Sequence, residues 1–175
     1  MESGYIGCGA LVYSKSTHRY LFLLRNRKRH AGTWGLVGGR VEDGESPLQA
    51  LERELVEEIG TISYNKIIPM EKFTNESNKF EYHTYLIPVE EEFVPILNDE
   101  HRGYAWTSIA DHPKPLHPGV WRTFSFKVIL EKLKIMEAIV TDHTLLPIDE
   151  NCSFGSYDTL SKHQVYCLYQ FCLHE

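Results

Sequence analysis

No run in this sequence approaches the roughly 18 consecutive apolar residues that a membrane span requires, and there is no internal repeat or low-complexity linker. The first residues, MESGYIGCGALVYS, lack the basic segment and long apolar stretch of a secretory signal peptide. Together these gaps argue against membrane insertion and make the cytoplasm the expected location. Cysteine is sparse: Cys8, Cys152, Cys167 and Cys172 form no CxxC pair, which favours a reduced intracellular protein over a disulfide scaffold. His163, Cys167, Cys172 and His174 have a spacing that fits no standard zinc site. Positive charge is also short, with 18 Lys and Arg against 24 Asp and Glu and a net charge of −6. That balance excludes a general nucleic-acid or membrane-surface binder. A polyanionic small molecule stays open, because a bound divalent cation inverts the local field.

What is present is ordinary for one domain: 175 residues, 42% hydrophobic and 24% charged. Residues 5–14 and 19–25 read as two strands joined by the turn KSTH, a hairpin. Residues 25–34 form a basic loop, and GLVGG (35–39) is a short apolar run ending in paired glycines. Residues 61–70, 79–89 and 104–109 read as further strands, and 120–140 as one long helix. Strands interleaved with two helices predict an α/β or α+β sandwich around a mixed sheet. Residues 1–140 are taken as one domain. Residues 141–175 are taken as a C-terminal extension packed on it, because Lys and Arg there fall to Lys162 alone. Within that extension 163–173 suits a strand or a buried helix equally.

The chemistry concentrates in GGRVEDGESPLQALERELVEEIG (38–60). Ser46 is a natural N-cap, Pro47 sits at the first helical position, Gln49 completes a capping box, and Gly60 marks the end. The helix 47–59 carries Leu48, Leu51, Leu55 and Ile59 on one face. Glu54, Glu57 and Glu58 gather on the other side, at spacings of three and four, with Arg53 in reach of Glu57. Glu57 and Glu58 lie near the helix C-terminus, where the macrodipole disfavours anions. A solvated face usually mixes signs, and this one does not. A hard divalent cation such as Mg2+ or Mn2+, which prefers oxygen ligands, resolves both conflicts; a solvated acidic helix is the other reading. The preceding loop GGRVEDGE is glycine-supported, so its backbone carbonyls are available as extra ligands. No G-K-[ST] follows, so it is not a P-loop.

These residues resemble the Nudix box, G-x5-E-x7-R-E-U-x-E-E-x-G-U. Gly39 begins it, Glu45 follows, and RELVEEIG (53–60) completes it, with Thr61 in place of the final apolar residue. GTWGLVGG (32–39) is similar to the family's G-x-W-x-x-P-G-G approach, with Val37 replacing proline. The resemblance covers about residues 5–140. It implies an α/β/α sandwich around a mixed sheet and hydrolysis of a nucleoside diphosphate linked to another group, using Mg2+ or Mn2+. It further implies metal ligation by Glu57, Glu58 and the Gly38 carbonyl, with Glu54 a ligand or the base that activates water. Arg53 would orient the glutamates, Glu45 would brace the loop, and Gly39 and Gly60 would support the geometry. In LNDEHRGYAWTS (97–108), Glu100 is the expected extra ligand or base, backed by Asp99 and His101; a polar turn is the other reading.

Outside the box, Arg25, Arg27, Lys28, Arg29 and His30 either grip a substrate phosphate or form a solvated loop. Arg25, at a strand end, is the one expected to face the cleft. Trp34, Tyr82, Tyr85 and Trp106 are read as base-stacking or core residues, with Trp34 and Tyr82, together with Arg25, Arg27 and His101, carried forward as substrate-binding candidates. The segment DHPKPLHPGVW (111–121) is a rigid loop rimming the site or a simple connection. Neither the proline of ADP-ribose hydrolases nor the tyrosine of dinucleoside-polyphosphate hydrolases stands after the box: residues 76–78 are Glu, Ser and Asn, and Tyr82 comes late. The substrate therefore stays open among (d)NTPs, nucleotide sugars, ADP-ribose and dinucleoside polyphosphates, as does pairing into a homodimer. Two rivals remain: a Nudix-fold isomerase of a prenyl diphosphate, which would carry an altered box and a catalytic Cys, and a non-catalytic nucleotide-binding module, which would have lost box glutamates.

Overall fold

The computed structural model describes residues 4–27, 29–75 and 79–141. The hairpin forms as expected from strand β1 (Tyr5–Ser14) and strand β2 (Arg19–Arg25), but the two strands pair directly only next to the turn, at Tyr13↔Tyr20 and Ser14↔Arg19. Beyond that point they diverge, and residues 34–40 fill the gap. Strand β3 (Trp34–Gly35) bonds to β2, and strand β4 (Val37–Arg40) bonds to β1. These two pieces are too short and glycine-rich to be legible as strands in the sequence. Their effect is to place Gly38 opposite Gly9 and Gly39 opposite Cys8, inside the sheet.

On its other edge β1 pairs in parallel, over its whole length, with strand β6 (Phe80–Val89). Strand β5 (Ile68–Thr74) closes that side antiparallel to β6, and strand β7 (His101–Thr107) closes the other side antiparallel to β2. The sheet is mixed, as expected, with seven strands among the described residues.

Three element boundaries need correction. The strand expected at 61–70 lies instead at 68–74: Gly60 turns the chain with φ 82°, and Ile62, Tyr64 and Ile67 pack on the core without entering the ladder. The ladder is irregular between Pro69 and Glu71, where proline offers no N–H. The strand expected at 104–109 begins three residues earlier, which draws His101 into it. The single helix expected at 120–140 is two, α2 (Pro118–Ser125) and α3 (Lys127–Thr141). Phe126 between them is extended, and the Ser125 hydroxyl donates to the Trp121 carbonyl at 2.7 Å, competing with continuation of the helix.

Helix α1 (Pro47–Ile59) forms with its capping box complete: Gln49 N–H donates to the Ser46 hydroxyl, and Ser46 N–H to the Gln49 side chain. Leu51, Leu55 and Ile59 pack with Cys8, Ala10, Val12, Leu21 and Leu23 on one face of the sheet. Leu133, Met136, Ile139 and Val140 of α3, with Val120 of α2, pack with Leu11, Tyr13, Tyr20 and Phe22 on the other. Alternation along β1 divides its side chains between these two cores, and the result is the three-layer sandwich. Leu48, expected on the packed face of α1, is 42% exposed. Among the described residues no helix is long and apolar enough to cross a membrane. Lys28, residues 76–78 and the expected element at 163–173, with three of the four cysteines, lie outside the described residues; Cys8 is a free, buried thiol.

Candidate active site

Arg53 organises the carboxylates of α1. Its Nε and Nη2 donate to the two Glu45 oxygens at 2.8 and 3.0 Å, a two-pronged grip, and Nη2 also reaches the Arg40 carbonyl at 3.0 Å. Its Nη1 donates to Glu54 at 2.9 Å and lies 3.4 Å from Glu57. One guanidinium thus ties the loop 38–45 to the acidic side of the helix. The Arg53 bonds hold the Glu45 carboxyl below its usual range.

The three glutamates differ in environment. Glu57 is half exposed, whereas Glu58 is 2% exposed. Glu58 Oε2 accepts the Gly38 N–H at 2.8 Å, yet burial still pushes its carboxyl up to about 8. Burial also raises Glu54, against the opposing pull of Arg53. Gly39 makes the room that Glu54 occupies, since a Cβ there would overlap the carboxylate. Gly38 has φ 143°, and a Cβ on it would strike the Cys8 carbonyl. Gly39 therefore answers to the packing of a carboxylate, and Gly38 to the close approach of the β1 backbone.

Glu100 sits in the turn before β7. Its charge acts weakly on both Glu54 and Glu58, which places it near the cluster. Arg27 holds that turn: its Nη2 donates to both Asp99 oxygens at 2.8–2.9 Å, and its Nη1 lies 3.4 Å from Glu100. Arg25 ends β2 opposite His101 of β7. Its field reaches Glu58, Tyr82, His101 and His117, and its buried Nε has no hydrogen-bond partner among the described residues. His101 is 5% exposed and lies beneath the carboxylates, with Nδ1 at 3.8 Å from Glu58 Oε1. Burial and the Arg25 charge lower its pKa to about 4.

Of a run of aromatic rings beside this cluster, sequence reasoning named Tyr82 and missed Tyr5 and Phe80. Tyr5 stacks on Phe80 at 5.2 Å, and Phe80 lies parallel to Tyr82 at 6.4 Å. The Tyr82 ring crosses Gly7 and Gly9 of β1, where any Cβ would meet it. Burial raises the pKa of the Tyr82 hydroxyl, and Glu58 and Arg25 add weaker influences of opposite sign, so the rings lie near the carboxylates. The signal lay in the register of β1 on β6, Tyr5↔Phe80 and Gly7↔Tyr82, which no local pattern discloses. Trp34 packs partly buried on the core beneath α2 and α3, and Trp106 and Tyr85 are core residues of the α1 side. The proline-rich segment docks on β3, with Trp34 N–H donating to the Pro115 carbonyl at 2.9 Å and His117 meeting His30 edge to face.

Among the described residues no three His, Cys, Asp or Glu side chains converge as a preformed metal cage. The donor set nevertheless suits a hard divalent cation: all oxygen, one carboxylate buried against its own charge, and one seated in the room left by Gly39.

The family model for the NUDIX domain matches residues 6–126. The chain is 31% identical over 114 residues to the dihydroneopterin triphosphate diphosphatase of Haemophilus influenzae, spanning 56% of this chain and 70% of that protein. The MutT NUDIX hydrolase of Burkholderia pseudomallei superposes with a TM-score of 0.56 at 26% identity, over 71% of this chain and 98% of that one. The MutT protein of Methanosarcina mazei Go1 superposes with a TM-score of 0.59 at 26% identity, over 77% and 99%. On these matches the chain belongs to the NUDIX family and is an enzyme of its pyrophosphohydrolase kind.

Proposed function

We propose that this enzyme cleaves a phosphoanhydride bond in a nucleoside diphosphate derivative by attack of water at phosphorus, with Mg2+ or Mn2+ held by Glu57, Glu58 and the Gly38 carbonyl. The observation that carries this reading is the pair Glu54 and Glu57 joined through Arg53 to Glu45, beside a buried Glu58 that accepts the Gly38 N–H. When bound, such a cation neutralises the diphosphate and lowers the pKa of water. Glu54, its carboxyl lifted by burial, takes the proton from the attacking water; Glu100 is the second candidate for that role. Arg53 holds Glu54 in orientation, and Glu45 fixes Arg53. Arg25, with its unpartnered Nε, offers a guanidinium to the phosphate chain, and Arg27 steadies the turn that carries Glu100.

The Tyr5–Phe80–Tyr82 rings favour a substrate whose head group is a flat heterocycle. The Haemophilus relative adds dihydroneopterin triphosphate to the (d)NTPs, nucleotide sugars, ADP-ribose and dinucleoside polyphosphates already in view. Release of phosphate, pyrophosphate or nucleoside monophosphate across that panel, with and without Mg2+, identifies the substrate. Glu57→Gln is expected to abolish turnover while circular dichroism stays unchanged. Full Mg2+-dependent turnover by that variant would overturn the mechanism.

A further inference from the structure

The box assigns no part to His101, which is among the most deeply buried polar side chains near the site. Its side chain is 1% exposed, and neither ring nitrogen has a hydrogen-bond partner among the described residues. Buried polar atoms in folded proteins are nearly always paired, so two on one ring ask for an explanation. His101 opens β7 opposite Arg25, where the register of β2 on β7 shifts. Such irregularities re-aim side chains at sheet ends. Here the ring is directed at Glu58.

Glu58 is approached from two sides. Its Oε2 takes the Gly38 N–H at 2.8 Å, and its Oε1 lies 3.8 Å from His101 Nδ1. The second separation is too long for a hydrogen bond and short enough for a small rotation of either side chain to close. From this geometry we infer that His101 is a positioning residue. Its neutral ring donates from Nδ1 to Glu58 Oε1 when Glu58 binds the cation, fixing the orientation of that carboxylate. The inference rests on the reading of Glu58 as a metal ligand. Outer partners of ligands orient them and tune their basicity, and their loss typically weakens metal binding about 10–100-fold.

The test is Mn2+ affinity of the full chain, followed by electron paramagnetic resonance without substrate. His101→Leu, which fills similar space and donates nothing, is expected to weaken Mn2+ binding by about tenfold or more. His101→Asn, whose amide nitrogen stands where Nδ1 stood, is expected to recover most of that loss. Equal affinity of His101→Leu and wild type, or equal loss in both variants, overturns the inference. Glu58→Gln separates the two levels: unchanged Mn2+ affinity there refutes Glu58 as a ligand, whereas a loss there beside a normal His101→Leu refutes only the positioning role. If the variants do not fold, nitrogen-15 spectra of wild type decide. An Nδ1–H tautomer whose resonance moves on Mg2+ addition supports the contact, and an Nε2–H tautomer that is unmoved refutes it.

Discussion

Gly38 and Gly39 are neighbours in the chain, yet a methyl group added to each meets a different obstacle. At Gly38 it meets backbone, the Cys8 carbonyl, at a φ of 143° that L residues rarely adopt. Gly38→Ala is therefore expected to destabilise the fold by roughly 3 kcal/mol, read as a lower urea midpoint. At Gly39 the obstacle is the end of the flexible Glu54 side chain. Gly39→Ala should cost less than about 1 kcal/mol of stability, because Glu54 can swing away. Turnover should nevertheless be lost, because Glu54 then leaves the grip of Arg53. Normal turnover in Gly39→Ala would show that the position of Glu54 is immaterial. The box glutamates and glycines were legible in the sequence because their chemistry repeats at fixed spacing along one helix and its loop. His101 as a buried neighbour of Glu58 was not, because its depth depends on where β7 begins.

Among the elements, α1 was legible to the residue, since both of its ends carry capping chemistry in the sequence. Strand β6 was nearly so, through its alternation, but three other strands were not. β3 and β4 exist only because β1 and β2 separate, and β5 is displaced by the turn after Gly60. Helix α2 begins two residues earlier than expected because His117 caps it, its Nδ1 accepting the Gly119 N–H at 3.1 Å. Burial, with Arg25, His30 and Arg29 nearby, lowers the His117 pKa to about 4. The unfolded chain takes up that proton at about pH 6.5. Stability from this group is thus complete above pH 6.5 and drains away as pH falls towards 4. His117→Asn keeps a capping oxygen and removes the titration. Its urea midpoint should fall less than that of wild type between pH 7 and pH 5, although His101 retains a share of the dependence. Parallel curves for the two proteins would show that His117 contributes nothing to acid sensitivity.

For the whole molecule, the net charge of −6 and the clustered glutamates lead to the expectation that the proposed divalent cation also stabilises the fold. A ligand present at 100 times its Kd and bound only by the folded chain adds about 2.7 kcal/mol. For a chain of this size that raises Tm by about 5–10 °C. Mg2+ or Mn2+ should produce such a shift, EDTA should reverse it, and Glu57→Gln should blunt it; equal shifts in the variant would place the ion elsewhere. The layered architecture was legible from alternating strands and two apolar helix faces, whereas strand order was not. The pairing that sets that order, β1 alongside β6, joins positions 75 residues apart in sequence, from Tyr5 with Phe80 onward. Closing so long a loop before any reward is slow, and it cannot finish on the ribosome until Val89 has emerged. The box is complete in the nascent chain well before then, but the β1 frame that holds Gly38 against Glu58 is not. The catalytic geometry is therefore expected to be set only after β6, and then β7 with its His101, have joined the sheet, so the onset of activity in newly made protein should lag the completion of the box.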